Sequence, residues 1–143
     1  MAPIISELDV TVLRAPDEQR PHWVSTFRVP SANEVLVRLR TNDGIEGFGL
    51  ATSYTDVAPL VSVLHSDLVE QIICMSPLAP ERIDRKLFDL TATRHAQERV
   101  WSREALVRVS AAVDIACWDI IGKLANLPCI KYSVGIETKC PAT

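Results

Sequence analysis

Little in this chain marks a catalytic or metal centre. Four cysteines (Cys74, Cys117, Cys129, Cys140) are spread without a Cys-x-x-Cys pair, and His22, His65 and His95 lie far apart with no cysteine at ligand spacing. That excludes a zinc site of ordinary spacing and a disulfide framework. The cysteines read as reduced thiols, and Cys117, on an apolar run, as a small hydrophobe. No apolar run approaches the ~18 residues of a membrane span. The N-terminus meets Glu7 and Asp9 early and has no basic start, so it is not a secretory signal. A net charge of −3, with Lys and Arg scattered among acids, leaves no basic stripe for nucleic acid. No repeat or low-complexity segment interrupts the chain. These absences predict a cytoplasmic protein with no membrane and no nucleic-acid partner.

What is present is globular. The 143 residues are 48% apolar and 23% charged, enough for one domain with its own core. From Ile4 to Leu13, Leu8, Val10 and Val12 alternate with Glu7, Asp9 and Thr11, the pattern of a half-buried strand. Val35, Val37 and Leu39 do the same between Glu34 and Arg40. Thr41-Asn42-Asp43-Gly44 then supplies a tight turn, and Ile45 to Leu50 returns as a partner strand. Gly47 and Gly49 within it suggest a bend or a close backbone approach. The expectation is a three-stranded antiparallel meander. Arg14 to Ser31, with Pro16, Pro21, Pro30, Trp23 and Phe27, has no periodicity and reads as a long surface connection.

The remainder is helical. Thr55 or Asp56 can cap a helix with the stripe Val57, Leu60, Val61, Leu64, Leu68 and Ile72. Pro77 and Pro80 break the chain, and Pro80 suits the first turn of a second helix bearing Ile83, Leu87 and Leu90, with Glu81 and Arg85 at ion-pair spacing. A last helix runs from about Ser102 to Asn126. One stripe is Leu106, Val109, Val113, Ala116 or Cys117, Ile120 and Leu124. A second is Val107, Ala111, Trp118, Ile121 and Ala125. Two stripes predict a central helix buried on most of its circumference, with Trp118 in the core and Trp101 a hydrophobic staple before it. The fold class is α+β: the meander followed by a three-helix bundle.

The hairpin Val35 to Gly49, followed at this distance by Asp114-Ile115-Ala116-Cys117-Trp118-Asp119-Ile120-Ile121-Gly122-Lys123, resembles the N-terminal capping domain of the mandelate racemase and muconate-lactonizing enzymes in the enolase superfamily. The resemblance covers nearly the whole chain. It implies a capping domain over residues 1–127, with 128–143 as linker and possible start of a (β/α) barrel that these residues do not contain. In the family, a proton is removed next to a carboxylate, with Mg²⁺ stabilising the enediolate and barrel residues supplying metal ligands and base. The resemblance therefore implies no catalytic residue, no metal ligand and no cofactor in this chain itself. It implies instead a lid over the barrel mouth, built from His22, Trp23, Val24 and Phe27 in the first connection and Thr52, Ser53 and Tyr54 after the third strand. An acid-sugar dehydratase or a racemase is the expected context, with the barrel domain as partner.

Two bland readings compete with sharper ones. Asp114 and Asp119 on one helix invite a metal site, but they stand five apart, about 140° around the helix. Structural roles suit them better, Asp119 facing Lys123 and Asp114 bonding to a loop or the sheet. His22 without a neighbouring carboxylate, and Ser53 outside any Gly-x-Ser-x-Gly turn, are poor catalytic candidates. The alternative function is a stand-alone interaction module, docking on a separate barrel chain or forming a homo-oligomer through an apolar face.

Overall fold

The computed structural model describes residues 2–14, 22–25, 27–29, 33–53, 56–91 and 103–129. The meander forms as the alternation predicts. Strands β1 (Ile5–Arg14), β4 (Asn33–Thr41) and β5 (Glu46–Ser53) make an antiparallel sheet in the order β1-β4-β5. Leu8, Val35, Val37, Leu39 and Ala51 face inward and are buried, while Glu7, Asp9, Arg38, Arg40 and Glu46 share the outer face. There Arg38 bridges Asp9 on β1 and Glu46 on β5, linking all three strands. Gly44 turns the β4–β5 hairpin with φ 86°, a value a side chain adopts only under strain. The last strand continues to Ser53, three residues past the expected Leu50.

One expectation is corrected within the first connection. An antiparallel hairpin, β2 (His22–Val24) and β3 (Phe27–Val29), lies there, His22 opposite Val29 and Val24 opposite Phe27. Strands of three residues are too short for an alternating pattern to show in the sequence.

The inner face of the sheet is covered by helices. The first begins as α1 (Ala58–Val63), passes through a π segment (Leu64–Leu68) and ends as α2 (Val69–Ile72). Asp56 does the capping, its Oδ1 accepting the Ala58 N–H at 3.0 Å. Leu60, Leu64, Leu68 and Ile72 are all buried. Their strict spacing of four drifts around an ordinary helix of 3.6 residues per turn, and the wider π turn brings them back toward one face. Helix α3 (Pro80–Thr91) buries Ile83 and Leu87 as expected. Helix α4 (Arg103–Ala125) ends in a Schellman motif, Leu127 N–H donating to the Gly122 carbonyl and Asn126 N–H to that of Lys123, with Asn126 at φ 52°.

Helix α4 is not buried all round. Leu106, Val109, Val113, Ala116, Cys117 and Ile120 fill the core, but Val107 is 53% exposed and Trp118 37%. Only one layer covers this helix among the described residues, so only one stripe is buried. Trp118 is thus not the core residue the pattern suggested, and Leu124 also lies exposed. Trp101 falls outside the described residues. No helix among the described residues is long and apolar enough to cross a membrane.

Candidate functional site

Strand register decides where the two candidate lid segments start. Arg14 lies opposite Asn33, and Asn33 opposite Ser53. The chain therefore leaves β1, enters β4 and leaves β5 at one end of the sheet. The connection that carries His22, Trp23, Val24 and Phe27 is rooted beside Thr52 and Ser53, two segments about 30 residues apart in sequence. His22, Trp23 and Val24 form β2 and Phe27 opens β3. Tyr54 lies outside the described residues.

The second segment is tethered by groups from both sides. Ser53 is buried, and its Oγ donates to the Asp56 carbonyl at 3.2 Å. On the preceding residue, the Thr52 carbonyl accepts a hydrogen bond from Arg108 Nη1 on α4. Arg108 is itself aimed by Glu104, whose Oε1 accepts from Nε at 3.0 Å and from Nη2 at 2.7 Å. Sequence reasoning passed over this pair, although Glu104 and Arg108 stand at the i, i+4 spacing that signals one.

The same helix clamps the far end of β5. Lys123 Nζ donates to the Glu46 carbonyl at 2.8 Å and to Asp119 Oδ2 at 2.7 Å, and that carboxylate oxygen accepts the Phe48 N–H at 3.0 Å. Lys123 also stands 4.9 Å from the centre of the Phe48 ring. Arg108, Asp119 and Lys123 together satisfy three backbone groups on the open edge of an edge strand, which would otherwise be free to pair with another chain. The expected Asp119–Lys123 pair forms. The bond to the sheet belongs to Asp119, however, and not to Asp114. Asp114 is half-buried, and its carboxyl is pushed above its ordinary value by that burial, then by the charges of Asp84 and Glu81. Asp119→Ala leaves the Phe48 N–H without its acceptor and takes from Lys123 its carboxylate partner, the bond to the Glu46 carbonyl remaining. Urea unfolding should show a loss of about 1–2 kcal/mol, with Asp119→Asn losing less because its amide oxygen can still accept the N–H.

Close approach of helix to strand makes the clamp possible. A Cβ on Gly49 would sit 1.8 Å from the Ala112 carbonyl oxygen, and one on Gly47 2.1 Å from that of Ala116. The glycines of β5 and the alanines of α4 let the two backbones nearly touch.

Chemically, this end of the sheet presents shape and polarity. Ser53 Oγ donates to a backbone carbonyl. Among the described residues no three His, Cys, Asp or Glu side chains converge where a metal ion could be held.

The model of the mandelate racemase / muconate lactonizing enzyme N-terminal domain matches residues 7–132. A D-galactonate dehydratase family member from Marinomonas sp. (strain MWYL1) is 31% identical over 100 residues, which are 69% of this chain and 23% of that protein. A D-mannonate dehydratase from Novosphingobium aromaticivorans is 30% identical over 100 residues, again 69% of this chain and 23% of the relative. The chain thus spans about a quarter of the length of the curated relatives it matches. Among solved structures, a mandelate racemase/muconate lactonizing enzyme-like protein from Rubrobacter xylanophilus superposes with a TM-score of 0.71 at 25% identity, covering 91% of this chain and 33% of that one.

Proposed function

Because the chain belongs to the mandelate racemase / muconate lactonizing enzyme N-terminal domain family, we propose that it caps the active site of an acid-sugar dehydratase. The catalytic groups, and the Mg²⁺ on which such a reaction would depend, belong to a (β/α) barrel. The observation that carries this reading is the shared sheet end, where register brings Arg14, Asn33 and Ser53 into one row. A lid needs its contacts grouped on one side, and both candidate segments are rooted there. The substrate class follows from the relatives, a D-galactonate dehydratase family member and a D-mannonate dehydratase.

In this reading residues 1–127 form the cap and residues 128–143 lead toward the barrel. His22, Trp23, Val24 and Phe27 form one wall of the lid, Thr52, Ser53 and Tyr54 the other. Their work is to exclude water and select substrate shape. Proton transfer and metal binding lie outside them.

The test uses the chain alone and the chain fused ahead of the barrel of a D-mannonate dehydratase. The isolated chain should show no turnover of acid sugars with Mg²⁺. The fusion should dehydrate an acid sugar, and Trp23→Ala or Tyr54→Ala should change its preference among acid sugars by about tenfold or more. Steady Mg²⁺-dependent turnover by the isolated chain would overturn the reading. So would a fusion whose substrate preference is indifferent to both substitutions.

A further inference from the structure

Helices α3 and α4 lie side by side with a surface groove of about 540 Å³ between them. Its two ends differ in chemistry. At one end are Leu87, Phe88, Leu106 and Val107, with Phe88 54% and Val107 53% exposed. At the other are the carboxylates of Glu81, Asp84 and Asp114. Asp84 accepts a hydrogen bond from Ser110 Oγ at 2.7 Å, but none of the three carboxylates forms an ion pair with a described residue. The Glu81–Arg85 pair expected from spacing is not made. Negative charge and apolar surface are thus offered together, Asp84 about one helical turn and Glu81 about two turns (~10 Å) from Phe88 along α3.

We propose that this groove is a docking site for a cationic amphipathic helix, one carrying an apolar anchor with Lys or Arg about one to two turns away. The groove between two helices suits a third by the helix-in-groove mode. The apolar end seats the anchor, and the three carboxylates receive the basic groups. A second copy of this chain fits less well. Its approach would set the carboxylates against like charges or against its own apolar end, desolvating them with no cation in either case. The site lies on the helical layer and is independent of the lid reading, so either can fail without the other.

The test titrates the full chain with an 18-residue helical peptide of leucine and lysine, an apolar stripe flanked by lysines, and with a matched leucine–glutamate peptide. The lysine peptide should bind saturably, one per chain, and weaken as salt rises. Val107→Ser or Phe88→Ser should weaken it about tenfold or more. Glu81→Gln with Asp84→Asn should lower affinity and flatten the salt dependence. Leu50→Ser, on the outer face of the sheet, should change nothing. These positions are exposed or only partly buried, and an unchanged melting temperature verifies that each variant folds. The proposal is overturned if the lysine peptide does not saturate, if the glutamate peptide binds as well, or if the groove substitutions leave binding unchanged. Sedimentation showing a dimer that Val107→Ser dissolves would assign the groove to a second copy and likewise overturn it.

Discussion

Gly49→Ala is expected to destabilise the chain by about 3 kcal/mol or more, at the upper end of what overpacking costs, and to lower Tm by roughly 10 °C. The added methyl would stand 1.8 Å from the carbonyl oxygen of Ala112 and 2.8 Å from its carbonyl carbon. Both atoms are backbone, so no rotamer change relieves the contact. Helix α4 would have to lift off β5, taking with it the bonds from Arg108, Asp119 and Lys123 to the strand edge. Two comparisons isolate this cause. Gly44→Ala has open space around its Cβ but a φ of 86°, so it should cost only the left-handed penalty of about 1–2 kcal/mol. Ala112→Gly in the Gly49→Ala background should restore nothing, because the clash is with the carbonyl and not the methyl of Ala112. Equal losses at Gly44 and Gly49, or rescue by Ala112→Gly, would refute the backbone-contact account.

A comparably large effect is expected at high pH from Cys117. Burial, and then the nearby Asp114 charge, push its thiol up to about 12 from an ordinary 9.0. Between those values the unfolded chain releases this proton and the folded chain keeps it. Rising pH therefore favours unfolding: the contribution is whole below about pH 9 and drains away toward about pH 12. At 1.36 kcal/mol per pH unit the total reaches about 4 kcal/mol. Denaturant unfolding of the native chain from pH 8 to 11 should thus fall more steeply than that of Cys117→Ala, the curves diverging above pH 9. Parallel curves would show that the thiol is not held protonated. In the native state at pH 8, Cys117 should also resist alkylation while exposed Cys74 and Cys129 react, since the thiolate is the nucleophile.

How much of this was legible depended on the length of the signal. The meander could be read because β1, β4 and β5 are long enough for apolar and polar residues to alternate several times. The β2–β3 hairpin could not, since three residues a side carry no period. Four-residue spacing from Leu60 to Ile72 announced a helix but not its π segment, which follows from keeping those side chains on one face. The candidate lid was legible only through resemblance, because a connection with three prolines has no periodic pattern of its own. Arg108 and Glu104 carried a spacing signal, yet nothing in sequence says that the guanidinium reaches the Thr52 carbonyl.

The sequence by itself determined the family, the α+β order of elements and, at Gly47 and Gly49, the choice between a bend and a close backbone approach, which the structure resolves as the approach. These are local or periodic properties, written wherever a residue's conformational freedom or its place in a repeat is enough. Tertiary structure alone decided the rest. It gave the sheet bond to Asp119 rather than Asp114, turned Trp118 outward, and rooted both candidate lid segments at one end of the sheet. The reason is geometric. A stripe on a helix states that a face can be buried, but which of two stripes meets the sheet depends on how the helix is rotated against it. That rotation is set where the Ala112 and Ala116 carbonyls settle over two glycines.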